Sequence, residues 1–282
     1  MKIATLTYQR HDNYGAMLQC YALQKKLEQM GVETEVIDYI CEVSVSPFGL
    51  NALKAKGLKR YITGIIGAIT RLPRKNSFKK FRKLIRMSKI ATKNNISQLG
   101  ASYDGYIVGS DNVWNVDITG FDENYFLSFV ADDRKKVSFA ASFGSSKIIG
   151  HHNIRYKKLL CDFAILTSRE ESGADLIQNL TGKEAEAVCD PSLLLTAEEW
   201  CNLAIDSYEK EPYLLAYQMV PSRKFVSFVK KVFLNLHNVR MIKVFQILNF
   251  FYCRNIKIFF NRNNFTNSFQ LTHTMNDFSN EA

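Results

Sequence analysis

The N-terminal segment commits the chain to a wound sheet. Residues 2–8 form a short run rich in β-branched and aromatic side chains, and Asn13 stands before a helical stretch over 15–30. Gly31 stops that helix, and residues 32–38 read as a second strand. This is a βαβ unit. The alternation returns with strands expected at 105–109, 137–143, 163–167, 187–190 and 213–219. Helices are expected at about 170–180 and after Thr196, which has capping-box spacing to Glu199. The pattern predicts an α/β fold with a doubly wound, Rossmann-like parallel sheet, whose ligands bind beyond the carboxyl ends of the strands. A length of 282 residues allows one large or two ordinary domains. The polar segment 205–212 is the expected boundary, between an N-terminal domain over 1–205 and the start of a second over 212–282.

Charge divides the chain further. Residues 43–103 carry fourteen basic side chains and no carboxylate, so they read as a basic helical insert that attracts phosphates, acidic glycans or an anionic membrane surface. The apolar stretch 61–72 falls short of the ~20 residues that span a bilayer. It reads either as an interfacial helix or as a buried helix with a basic rim. Phe78, Phe81, Leu84 and Ile85 recur at helical spacing, the mark of a core-facing stripe with a solvated cationic back. Nucleic acid is not an expected partner, since no helix-turn-helix, zinc finger or aromatic RNA-binding motif accompanies the charge. Arg10 and His11 come too early for the apolar core of a signal peptide, so the expected location is cytoplasmic, with peripheral contact at the inner face of the membrane. The six cysteines form no Cys-x-x-Cys pair and no cluster with histidine, so no metal site is expected.

Residues 221–282 contain no glycine and are crowded with Phe and Asn. From that composition we expect no wound α/β half there, because tight strand-to-helix turns call for residues tolerant of positive φ. The second domain is expected to be the start of a truncated or degenerate α/β domain.

Four motifs each follow directly on an expected strand. The first, His11-Asp12-Asn13-Tyr14-Gly15-Ala16, precedes the first helix, where free N–H groups and the helix dipole suit an anion. The second, Gly109-Ser110-Asp111-Asn112-Val113-Trp114-Asn115, sets a carboxylate, a hydroxyl, amides and an indole at the ligand edge. In the third, Ala140-Ala141-Ser142-Phe143-Gly144-Ser145, small residues allow close approach to the backbone. The fourth, Thr167-Ser168-Arg169-Glu170-Glu171-Ser172, puts a guanidinium at a helix start, uphill for the dipole. That placement suits either an anionic ligand gripped by two parallel hydrogen bonds or an ion pair with Glu170 or Glu171. Taken singly, Asn13 and Asp111 also read as turn or cap residues and Trp114 as core.

Taken in order, these residues resemble the polysaccharide pyruvyl transferase family. The likeness is carried by Asn13-Tyr14-Gly15-Ala16, by Val108-Gly109-Ser110-Asp111-Asn112-Val113-Trp114-Asn115 and by Ser138-Phe139-Ala140-Ala141-Ser142-Phe143-Gly144. Ser168-Arg169-Glu170 and Asp190-Pro191-Ser192 with Trp200 complete it. The resemblance implies a GT-B-like two-domain fold, phosphoenolpyruvate as donor with no other cofactor, and a saccharide acceptor, lipid-linked or a polymer repeat unit. The product would be a pyruvate ketal on a bacterial capsule or exopolysaccharide. Arg169 matches a family arginine expected to bind the donor. Asp111 reads as a base or sugar hydrogen-bonder and Trp114 as a sugar platform. Asn13, Tyr14, Gly15, Gly109, Ser110, Asn115, Ser142 and Gly144 complete the expected binding set. One departure is marked: where the family carries a histidine thought to be the general acid, after Phe265-Thr266-Asn267-Ser268-Phe269, this chain has Gln270. An amide cannot deliver a proton as imidazolium does. The alternatives are a GT-B-type nucleotide-sugar glycosyltransferase and a non-catalytic remnant that binds glycan or a membrane surface.

Overall fold

The computed structural model describes residues 1–43, 75–144, 152–204, 213–218, 222–234 and 240–245. It divides into two compact units, Met1–Leu195 and Thr196–Ala282. The first unit is built on five parallel strands, β1 (Lys2–Leu6), β2 (Glu33–Ile40), β3 (Met87–Thr92), β4 (Gly105–Val108) and β5 (Lys136–Ser138). They lie in the order β3-β2-β1-β4-β5. Parallel bridges from Val137 to Ile165 and from Ala141 to Ser168 extend the sheet toward the short pair β6 (Thr167–Ser168) and β7 (Glu186–Ala187). Strand order reverses between β1 and β4, so the unit is a doubly wound, Rossmann-like sheet with its switch point there.

The helices follow from local chemistry. Helix α1 (Tyr14–Gln29) begins where Asn13 Oδ1 accepts the Ala16 N–H at 3.2 Å, satisfying one of the donors that a helix start leaves open. Residues 75–82 form α2. Phe78 and Ile85, 4% and 5% exposed, pack with Met17, Cys20 and Val36 on one face of the sheet, and each such burial stabilises by roughly 2 kcal/mol. Gln24 fixes the same junction, donating to the Arg86 carbonyl at 2.9 Å and accepting the Arg86 N–H at 2.8 Å. Of the expected stripe only Leu84 departs, standing 46% exposed just past the helix. The larger core holds Leu6, Tyr39, Tyr106, Trp114, Phe126, Tyr156 and Phe163. Helices α3 (Val116–Thr119), α4 (Asn153–Cys161) and α5 (Glu171–Thr181) follow in chain order.

Two expectations are corrected. The basic insert is not helical throughout, since residues 87–92 join the sheet as edge strand β3, parallel to β2. An edge strand is covered on one side only, and here Ala91 is its one buried residue, so the alternation that announces a strand is missing. In the second unit, α6 (Ala197–Leu203) carries the expected capping box of Thr196 and Glu199. Beyond it the glycine-free segment does wind. Strand β8 (Tyr213–Gln218), helix α7 (Arg223–Leu234) and strand β9 (Arg240–Phe245) form a parallel βαβ unit. Glycine is dispensable at this helix start because the Ser222 hydroxyl receives the Phe225 N–H at 3.2 Å. The apolar stretch 61–72, the boundary at 205–212 and the segment 265–270 lie outside the described residues. Among those described, no helix is long and apolar enough to cross a membrane.

Candidate active site

At the carboxyl ends of β4, β5 and β6 the loops are laced together by their backbones. Ser142 donates its N–H to the Asp111 carbonyl at 3.0 Å, Trp114 donates to Ser142 at 3.1 Å, and Arg169 donates to Ala141 at 3.2 Å. This lacing holds Asp111 at φ +91°, a left-handed conformation that a residue with a Cβ adopts only under constraint. Gly144 sits at φ +65° for a second reason as well. A Cβ there would stand 2.7 Å from Asn115 Nδ2 and 3.0 Å from Asn112 Cγ.

On this platform a network of side chains converges. Arg169 donates from Nε to Glu170 Oε1 at 3.0 Å, from one terminal nitrogen to Asn112 Oδ1 at 3.2 Å, and from the other to Asp190 Oδ2 at 3.5 Å. Ser110, fully buried, donates to the same Asp190 oxygen at 2.8 Å. Ser142 Oγ lies 2.9 Å from Glu170 Oε1 and 3.1 Å from Asn112 Oδ1, and accepts the Gly144 N–H at 3.0 Å. The network lines a cleft of about 360 Å³ whose walls include Asn112, Phe143, Gly144, Arg169, Glu170, Ser172 and Gly173.

The local charge is negative, because Asp111, Glu170 and Asp190 surround a single guanidinium. Burial pushes the Asp111 carboxyl above the usual carboxylate range, against the pull of the Asn112 N–H and the Arg169 charge, and Asp190 adds to the rise. Burial works against the Arg169 charge, yet the hydrogen bond and charge of Glu170, with Asp111 and Asp190, hold it above its ordinary value. A carboxyl that burial makes reluctant to ionise, directly behind a cleft and beside a guanidinium, is suited to proton exchange. Among the described residues no His, Cys, Asp and Glu group is arranged to hold a metal ion.

The expected site residues separate into two sets. Ser110, Asp111, Asn115, Ser142, Gly144 and Arg169 come together in or directly behind the cleft. Gly109 is buried beneath it, where a Cβ would meet Thr7 Cβ at 3.2 Å, so its role is close packing of β4 on β1. Asn13, Tyr14 and Gly15 are not among the cleft's lining residues. Asn13 caps α1, Tyr14 packs on Phe78 with ring centroids 4.9 Å apart, and Gly15 faces solvent. Trp114 is corrected outright: it is 1% exposed, stacks on Phe126 and donates its indole N–H to the Tyr125 carbonyl at 3.0 Å, so no sugar reaches it. The ion pair open to Arg169 is formed with Glu170, and a second, unforeseen, with Asp190. Asn112, Glu170 and Ser172 stood within the expected motifs, and Asp190 within the resemblance, but none of the four was singled out as a site residue. Glu170 adjoins Arg169 in sequence, and Asp190 ends an expected strand, which was the available signal.

Comparison with curated proteins finds no match. The family model for polysaccharide pyruvyl transferase, in contrast, matches residues 13–273, a span that takes in every loop of the cleft and continues through the second unit. With most of its length matched, the chain belongs to the polysaccharide pyruvyl transferase family.

Proposed function

We propose that the protein transfers the pyruvyl group of phosphoenolpyruvate to two hydroxyls of a saccharide, forming a cyclic ketal in the assembly of a bacterial capsule or exopolysaccharide. The observation that carries this reading is the meeting of Arg169, Glu170 and Asn112 at one cleft, with the carboxyl of Asp111 held directly behind it by the Asn112 N–H, in a chain of this family. The reaction is redox-neutral. Two C–O bonds form at the former enol carbon, its bond to the phosphate oxygen breaks, and the methylene gains a proton to become methyl. The two hydroxyl protons balance those taken by the methyl and the departing phosphate.

The acidic balance of the cleft suits a neutral saccharide better than the donor's phosphate. Glu170 and Asn112, which line it, offer acceptors and a donor to sugar hydroxyls. Asp111 takes the proton of the attacking hydroxyl: its Oδ1 accepts the Asn112 N–H at 2.8 Å, and no hydrogen bond engages Oδ2 among the described residues. A guanidinium carries five N–H donors. Three on Arg169 are engaged, and the other two are offered to the pyruvyl carboxylate beside the ketal carbon.

The test is to incubate the full chain with phosphoenolpyruvate and a panel of free and lipid-linked saccharides, following phosphate release and product mass. A ketal formed in step with phosphate is the expected result. Phosphoenolpyruvate binding with no ketal from any acceptor would instead identify a remnant lacking its acid, with Gln270 standing where the family carries a histidine. Turnover of a nucleotide sugar would make the protein a glycosyltransferase.

A further inference from the structure

Away from the cleft, the densest positive charge among the described residues of the first unit lies on α2 and the turn after it. Lys75, Lys79, Lys80 and Lys83 are all exposed, and none forms an ion pair among the described residues. Arg82 and Arg86, on the same segment, are paired with Asp12 and Glu33. Lys75, Lys79 and Lys83 follow one another at four-residue spacing, where like charges repel and weaken a helix. What holds α2 in place is its other side, through Phe78 and Ile85. Leu84 belongs to the charged side: its N–H reaches the Phe81 carbonyl at 2.9 Å, continuing the helical turn four residues beyond Lys80, and it stands 46% exposed.

Unpaired lysines around an exposed aliphatic are the chemistry of a surface that meets anionic headgroups, the ammonium groups on phosphates and the aliphatic entering the interface. A nucleic-acid surface calls instead for aromatic or guanidinium planes on which bases stack. Here the aromatics are turned away, Phe78 onto Tyr14 and Phe81 onto Tyr21 with ring centroids 4.9 and 5.6 Å apart, and both arginines are engaged. We propose that the surface formed by α2 and the turn after it, carrying Lys75, Lys79, Lys80, Lys83 and Leu84, docks the protein on an anionic lipid surface. This rests on no assumption about the reaction in the cleft.

The experiment is co-sedimentation of the full chain with vesicles of phosphatidylcholine alone, or containing about one third phosphatidylglycerol. Each lysine near such a surface contributes about five-fold in affinity, so Lys79→Gln/Lys80→Gln/Lys83→Gln should weaken binding about 100-fold. Leu84→Ser should weaken it about five-fold. Lys79→Arg/Lys80→Arg/Lys83→Arg should bind as the natural protein does, and circular dichroism should be unchanged in every variant because each altered side chain is exposed. Equal binding to neutral vesicles, or undiminished binding by the triple glutamine variant, overturns the proposal. It is overturned equally if duplex DNA binds as tightly as the anionic vesicles while Leu84→Ser changes neither.

Discussion

Helix α5 reaches the cleft only because its third residue has no side chain. A Cβ on Gly173 would overlap Ser168 Oγ and lie 3.1 Å from Ser168 Cβ, and Ser168 is fully buried with its hydroxyl donating to the Ala141 carbonyl at 3.0 Å. Gly173→Ala therefore sets two effects against each other. Alanine gains about 1 kcal/mol of helix propensity. Forcing the serine aside costs about 1–3 kcal/mol of overpacking, with about 1 kcal/mol more for the lost hydrogen bond. The net is a destabilisation of about 2 kcal/mol. Ser168→Ala alone should cost about 1 kcal/mol, since the Ala141 carbonyl keeps the Arg169 N–H at 3.2 Å. The double variant removes the overlapping oxygen and keeps the propensity gain, so it should return close to the natural stability. The cycle then yields a coupling of about −2 to −3 kcal/mol, well outside the ~0.5 kcal/mol scatter of independent sites. Guanidinium titrations of the four proteins, followed by near-ultraviolet circular dichroism, measure it. Additive single effects would refute the reasoning, because they would mean that α5 does not press on β6 through this contact.

Three further outcomes follow from the site. Asp111→Asn should lower kcat by about 10²–10⁴-fold if Asp111 is the base, while Glu170→Gln acts mainly on the saccharide KM; steady-state kinetics with an active acceptor separates the two. The same Asp111→Asn change should raise stability at neutral pH. A carboxyl whose folded pKa is raised carries a burial penalty once ionised, so the gain is full above that raised pKa and disappears as pH falls below the unfolded value of about 4, readable in Tm across pH. Trp114→Phe should cost about 2 kcal/mol through the orphaned Tyr125 carbonyl, with the acceptor KM unchanged because the indole lies in the core.

What could be read in advance follows from where each signal resides. The βαβ start, the parallel sheet and the loops at its ligand edge were legible because strands buried on both faces, as β1 is, write short runs of apolar and β-branched residues. Edge strand β3 was not, since its polar, half-exposed side chains match those of the basic insert around it. Strand β8 was expected over 213–219, but the return through α7 to β9 was missed by weighing glycine content alone, when Ser222 was enough to start the helix. At the site, Arg169 and Asp111 stood out by type and by their place after strands, whereas Asp190 enters through a contact with Ser110 that spans 80 residues of sequence. Trp114 misled for the opposite reason. An aromatic between polar residues reads as a platform until its neighbours, Phe126, Phe143 and Phe163, are seen to enclose it.

The most direct test of the account is a phosphoenolpyruvate binding isotherm on the full-length protein, with Arg169→Ala and Arg169→Lys alongside. Arg169→Ala leaves Glu170 and Asp190 without their shared cation, and Arg169→Lys keeps the charge but not the forked donors. We expect saturable binding by the natural protein, lost in the alanine variant and partly kept in the lysine variant. Absence of binding by natural protein shown to be folded, or binding indifferent to Arg169, would contradict it.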